Sequence, residues 1–296
     1  MQFLAYILVY PFIWLISILP FRMLYAFSDF LYVLLYHIIG YRRKVVKMNL
    51  DLVFPNKSEV EKTRITKAFY HHLCDMTVES MKSLTISDAE MKKRFQFQSL
   101  DVIQDLIDNN KSVALMCAHY GSWEWIFVLQ SYIDVKGYAV YKKLRNPYFD
   151  KLVKKIRAKY DSYLITTKET VPTLMRAKVN GDLNICGFVS DQSPKLHSAH
   201  YWADFMGIKV PVYTGAEMLS KRLDMSVVFF KTKRLKRGYY ETTFELLAEH
   251  AKDYKDYEIT DLFLRKVEKQ IEEAPEYYLW THKRWKHRDN VPAEFQ

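Results

Sequence analysis

The segment His119-Tyr120-Gly121-Ser122-Trp123-Glu124 holds the residues best placed to do chemistry. An imidazole titrates near neutral pH. A carboxylate one helical turn away can hold one ring nitrogen and fix the tautomer, which leaves the other nitrogen free to accept a proton. Among nine histidines, only His119 is followed five positions later by an acid. That spacing is weakly specific alone, but its setting sharpens it. Val113 to Ala118 is wholly apolar and short, as a buried strand would be. Gly121 permits a tight turn, and Glu124 opens the next helix. The expected unit is a His119/Glu124 dyad that needs no enzyme nucleophile. The plainer alternative is a histidine satisfied within a strand–helix turn. Ser122 is a poor nucleophile candidate, because its surroundings lack the second glycine of a G-x-S-x-G elbow.

Other groups could bind. Arg145, with Lys142 and Lys143, follows a strand end, and a guanidinium matches phosphate bidentately. A solvated basic loop is the alternative. The helix expected over 149–160 carries Lys151, Lys154, Lys155, Arg157 and Lys159. The first three share a face that suits an acidic carrier protein or plain solvent. Asp191 and Gln192 end an apolar strand, where they bind a ligand or cap the next turn. Gly207 and Gly215 read as turn residues. Lys231 to Arg237 holds five bases in seven residues and reads as an exposed hairpin loop. His197 and His200 are spaced H-x-x-H but lack a third ligand at diagnostic spacing, so no metal is expected.

The elements that must position these residues alternate. Strands are expected at 113–118, 138–141, 164–167, 184–190, 226–231 and 239–246, the last two as a hairpin. Helices are expected within 58–95 and at 123–132, 149–160, 169–179, 215–222 and 260–273. Ser58 and Glu61 form a capping box at the start of the first of these. The pattern predicts a single α/β domain with a mixed, largely parallel sheet flanked by helices, and chemistry at the carboxyl ends of the strands.

Ahead of that domain lies apolar sequence. Phe3 to Pro20 carries no charge. As a helix it would rise about 27 Å, near the hydrocarbon thickness of about 30 Å, with a kink at Pro11. This reads as a membrane-anchoring helix rather than a cleaved signal or a buried core helix. Met23 to Gly40 is apolar but includes Asp29 and His37, and reads as an interfacial or docked helix. Residues 1–40 are thus taken as anchor and interfacial helix, and 41–296 as the domain. Arg42, Arg43, Lys44 and Lys47 follow without an acid, which places the domain in the cytoplasm by the positive-inside rule.

The chain has 44 Lys and Arg against 34 Asp and Glu, a net charge of +10. Its partners are expected to be anionic, but no nucleic-acid recognition motif accompanies the charge. Eight glycines and nine prolines in 296 residues exclude collagen-like and low-complexity designs. Cys74, Cys117 and Cys186 are dispersed and odd in number, which argues against a disulfide framework.

In this setting His119 and Glu124 resemble the HX4D/E motif of the lysophospholipid acyltransferase superfamily, in particular the branch of bacterial lipid A late acyltransferases. Further blocks resemble that branch in order: Tyr141 with Arg145-Asn146-Pro147 and Asp150, then Arg157; Ser190-Asp191-Gln192; Phe205-Met206-Gly207, Pro211, Thr214-Gly215 and Glu217; and the tail from Pro275 through Trp280, His282 and Arg284 to Lys286. The resemblance covers nearly the whole chain.

It implies a membrane-associated O- or N-acyltransferase. His119 would deprotonate an acceptor hydroxyl, Glu124 would steady the imidazole, and a fatty chain would leave a thioester donor. Arg145, Asn146, Arg157, Asp191, Gln192, Gly207, Thr214 and Gly215 would contact substrate. The expected acceptor is a lipid A precursor, with another glycolipid, phospholipid or aminolipid as the alternative. No cofactor is expected beyond the co-substrate, a thioester of acyl-carrier protein or coenzyme A. The expected place is the cytoplasmic face of the bacterial inner membrane. Competing readings are a membrane-bound thioesterase or phospholipase and a non-enzymatic basic scaffold.

Overall fold

The N-terminal apolar run forms α1 (Gln2–Ile18), which Pro20 separates from α2 (Phe21–Tyr32). The helix continues as a π-turn over Val33–Ile39 and stops at Gly40, whose left-handed φ of 66° suits glycine. α3 (Arg43–Val53) and α4 (Glu59–Lys82) follow, and α4 opens with the Ser58/Glu61 capping box. The computed structural model describes residues 1–295.

Next come α5 (Asp88–Arg94), β1 (Phe95–Gln98), α6 (Asp101–Asp108) and β2 (Val113–Cys117). A 3-10 helix (Trp123–Tyr132) leads to β3 (Lys136–Tyr141), α7 (Pro147–Arg157), β4 (Tyr163–Thr166), α8 (Thr167–Asn180) and β5 (Asn184–Val189). The hairpin β6 (Trp202–Phe205) and β7 (Ile208–Pro211) precedes α9 (Gly215–Leu223). β8 (Ser226–Lys236), β9 (Tyr239–Ala248) and α10 (Glu258–Glu273) complete the regular elements.

Seven strands form one sheet in the order β1-β9-β8-β2-β5-β3-β4. All neighbours are parallel except β8 and β9. The fold is therefore α/β with a mixed, largely parallel sheet, as the alternation of elements predicts. Both faces of β2 are covered, which explains its unbroken apolar sequence. Ala114, Met116 and Ala118 join a cluster with α3, α4, α8, α9, α10 and the tail tryptophans Trp280 and Trp285. Val113, Leu115 and Cys117 join one with α5, α6 and the 3-10 helix. The three cysteines are free and buried.

The helix expected over 123–132 is present and winds as a 3-10 helix. Other expectations need correction. The basic run 231–237 is not an exposed loop. Pairing with β9 carries β8 as far as Lys236, and Arg234 and Arg237 turn in toward Asp75 at 2.9 and 2.6 Å. β1 and the β6–β7 hairpin have no counterpart in the sequence reading.

Candidate active site

β2 and β5 are parallel neighbours, so the residues that follow them leave the sheet side by side. After β2 comes His119, and after β5 come Asp191 and Gln192. Asp191 Oδ1 accepts from the His119 backbone N–H at 3.1 Å and lies 2.7 Å from His119 Nδ1. One oxygen thus fixes both the backbone and the ring. The proton between them belongs on Nδ1, because an ionised carboxylate only accepts. Nε2 is then the lone-pair nitrogen. It lies 3.2 Å from Gln192 Nε2, an amide that can donate to it. The Trp123 ring stands edge-on to the imidazole at 5.2 Å.

Asp191 is 1% exposed and His119 21%. Burial works against the Asp191 charge, but electrostatic attraction to the His119 ring and the two hydrogen bonds that His119 donates outweigh it, so the carboxyl is held below its ordinary range.

Glu124 is not the partner of the imidazole. Arg157, at the end of α7, takes it in a forked pair, Nε to Oε2 at 2.9 Å and Nη2 to Oε1 at 2.5 Å. The expected His119/Glu124 hydrogen bond is thus replaced by two pairs, His119–Asp191 and Glu124–Arg157. The reason is topological: strand adjacency brings a carboxylate to Nδ1 from 72 residues away, and the Arg157 fork matches the remaining carboxylate.

The chain's C-terminal tail braces the turn. Gly121 N–H donates to the Tyr277 carbonyl, and Leu279 N–H donates to the His119 carbonyl. Gly121 has φ 58°, and a Cβ there would stand 3.0 Å from the Thr232 side chain. Ser193 Oγ donates to the Arg284 carbonyl at 2.5 Å, and Arg284 Nη1 donates to Ser193 Oγ at 3.1 Å. His282 Nε2 faces Ser193 N–H at 3.4 Å, and burial pushes the His282 ring down to about 4.

A family model described as "Bacterial lipid A biosynthesis acyltransferase" matches residues 1–287. The chain belongs to this family. It is an acyltransferase, as the sequence blocks imply. It is 24% identical to the lipid A biosynthesis lauroyltransferase of Escherichia coli (strain K12), over 96% of this chain and 92% of that protein. It is 22% identical to the palmitoleoyltransferase of the same organism, over 83% of this chain and 79% of that one. A lipid A biosynthesis acyltransferase of Shigella flexneri matches at 22% over the same shares.

The family blocks divide between chemistry and architecture. Arg145 is exposed on the loop after β3. Asn146 is occupied structurally: its Oδ1 accepts from the Tyr148 and Phe149 N–H groups and caps α7, with Pro147 at the first helical position. Asp150 Oδ1 accepts the Leu144 N–H and pins the same loop. Met206 and Gly207, at φ 54° and 73°, form the two-residue turn of the β6–β7 hairpin, where Gly207 faces open space. Thr214 is the buried N-cap residue of α9, and Gly215 its exposed first residue. Asn146 and Gly207 are thus placed by backbone requirements, whereas Gly215 opens a helix rather than the tight turn expected of it. The sequence reading missed His282, Tyr278 and Ser193 near Asp191. The tail block held the signal, but nothing local shows which loop it touches.

Proposed function

We propose that the chain transfers a fatty acyl group from a thioester donor to a hydroxyl of a lipid A precursor, with His119 Nε2 as the general base. The observation that carries this reading is the imidazole itself. Its Nδ1 is locked by a buried carboxylate, and its Nε2 opens at the carboxyl end of the two central strands. The acceptor hydroxyl would take the place of the Gln192 amide on Nε2 and give up its proton as its oxygen attacks the thioester carbonyl. Asp191 then stabilises the imidazolium. The tetrahedral intermediate collapses, the C–S bond breaks, and the imidazolium returns its proton to the departing thiolate. General-base help of this kind contributes about 10²–10⁴-fold.

The Gly121 N–H is committed to the Tyr277 carbonyl, so oxyanion donors are sought in the 191–194 turn. Arg157 spends its fork on Glu124, so Arg145 is the freer guanidinium for a phosphate. The stripe Lys151, Lys154 and Lys155 on α7 suits an acidic acyl-carrier protein. An acyl-carrier-protein donor fits an active site on the cytoplasmic side of the bacterial inner membrane. The lauroyl- and palmitoleoyltransferase relatives support the lipid A acceptor.

The deciding experiment incubates purified protein with labelled acyl-carrier-protein thioester and a lipid A precursor, and weighs the product by mass spectrometry. A labelled precursor is expected from wild type and not from His119→Ala. Free fatty acid formed equally with and without acceptor would make the chain a thioesterase instead.

A further inference from the structure

α1 is apolar on every side, yet both of its ends are seated on the domain. At its start, Asn146 Nδ2 donates to the Gln2 carbonyl at 3.0 Å, and Phe3 packs on Tyr148 with ring centroids 5.0 Å apart. One turn on, Tyr6 meets Tyr148 and Phe149. At its end, Lys82 Nζ donates to the Ser17 and Leu19 carbonyls at 2.7 and 2.8 Å, and Thr85 also donates to Ser17. Tyr6, Tyr10, Ile13, Ile16 and Ser17 form the inward stripe at helical spacing. Leu4, Leu8, Phe12 and Leu15 form the outward one, exposed at 61, 67, 65 and 52%.

α2 is tied down by polar rungs that a lone span would not carry. Tyr25 Oη donates to Glu79, Ser28 Oγ to Asp75, and Asp29 pairs with Arg237 at 2.5 Å. Its outward residues Met23 and Phe30 continue into Val33, Ile38 and Ile39.

We infer that neither helix crosses the bilayer. The geometry points to an in-plane seat, with the outward stripes of α1 and α2 sunk into one leaflet. A helix of 17 residues rises about 26 Å. If α1 spanned, its two ends would lie on opposite sides of the hydrocarbon. Both ends instead rest on charge-bearing parts of one domain: the Gln2 end beside the loop of Lys142, Lys143 and Arg145, and the Ser17 end on Lys82. Spanning would drag a lysine- and arginine-rich loop into hydrocarbon, at several kcal/mol per charge, or strip α1 from its seat. An in-plane helix needs neither. The exposed bases Arg22, Arg42, Arg43, Lys44, Lys142, Lys143 and Arg145 sit near the ends of these apolar stretches, where they can meet anionic headgroups. This seating stands on geometry alone and does not depend on the acyl-transfer reading.

The test uses the full chain in cells, with Gln2→Cys and Pro20→Cys as separate reporters, since the three native cysteines are buried. A membrane-impermeant maleimide should label both positions from inside-out vesicles and neither from the outer side of spheroplasts. Labelling of Gln2→Cys from outside would mean that α1 spans. Labelling of Pro20→Cys from outside would mean a hairpin of two spans. Either result overturns the inference. In a second arm, Leu8→Glu/Phe12→Glu should lower flotation with phosphatidylglycerol-containing vesicles at least tenfold at unchanged Tm. Flotation equal to wild type would also overturn it.

Discussion

Asp191 Oδ1 touches His119 twice, at the backbone nitrogen and at Nδ1, although the two residues lie 72 positions apart. Deleting the base removes proton transfer, so His119→Ala is expected to lose about 10²–10⁴ in kcat. Asp191→Asn offers an amide to Nδ1 and can invert the tautomer. Its expected loss is more than tenfold and larger than that of Glu124→Gln. Transfer kinetics with a Tm control decide the order. If Glu124→Gln were the more damaging at equal stability, Asp191 would not be the orienting carboxylate.

Glu124 and Arg157 act as a unit in this structure. Each side chain is 23% exposed, so the pair is screened only in part. Glu124→Ala and Arg157→Ala should therefore be non-additive, with a coupling of about 1 kcal/mol in stability or in kcat/KM. The double variant should be hardly worse than either single one. Additive losses in a double-mutant cycle would show that the two side chains work apart.

Acid should weaken the fold before it touches Asp191. His72 is fully buried, and burial with the Arg234 charge pushes it down to about 3, while His282 is pushed to about 4. Unfolded histidine titrates near about 6.5. Between those values the unfolded chain binds more protons, so stability rises with pH and is lost as pH falls below about 6.5. Asp191 is shifted the same way from a lower start: its contribution is present above the ordinary carboxylate range and is lost as pH falls from there through its lowered folded value. Glu79, which burial pushes up to about 7, titrates with the opposite sign over this range and offsets part of the effect, but the two histidines together should still lower the urea midpoint from pH 7 to pH 4.5. His72→Gln should remove up to about 1.4 kcal/mol per pH unit from that slope. An unchanged slope would show that His72 is not neutral in the fold.

Much of this was legible in sequence because it is local. The apolar run ending at His119, the Ser58 capping box and the turn glycines are written within a few residues. Asp191 was visible as a polar residue ending a buried strand, but its partner was not. That pairing follows from β2 and β5 being neighbours, which chain order does not state. Nearness in sequence points Glu124 at His119, whereas Arg157 reaches it across two elements. The run 231–237 reads as a loop because local charge density says nothing of Asp75, which comes from α4.

Glu217 is fully buried, and its carboxylate closes the start of α10. It accepts from Tyr257 and Thr260 N–H at 2.7 and 2.9 Å and from Thr260 Oγ1 at 2.6 Å, with Lys221 at 3.0 Å. Removing it strands buried donors, each at about 1–3 kcal/mol. Glu217→Ala should lower stability by about 3 kcal/mol or more, with kcat of the remaining folded protein near wild type. A loss of kcat without a loss of Tm would place Glu217 in catalysis instead.

A small apolar cavity lies on the sheet face of Cys117 and Val189, the residues two before His119 and Asp191. Its volume is about 60 Å³, room for the end of an acyl chain rather than its length, and it is lined by Leu115, Ile126, Phe127, Leu129, Tyr138 and Gly187, among others. A Cβ at Gly187 meets only the Tyr138 carbonyl, at 3.7 Å, so a larger side chain can enter without forcing the backbone. A pocket that ends sooner holds fewer methylenes, each worth about 0.8 kcal/mol. Gly187→Val should therefore shift preference toward donors shorter by two or more carbons, with kcat on the shorter chain retained. Competition between donors of different length in one reaction, read by product mass, measures the shift. If Gly187→Val slowed every chain length equally, the acyl group would have to lie elsewhere.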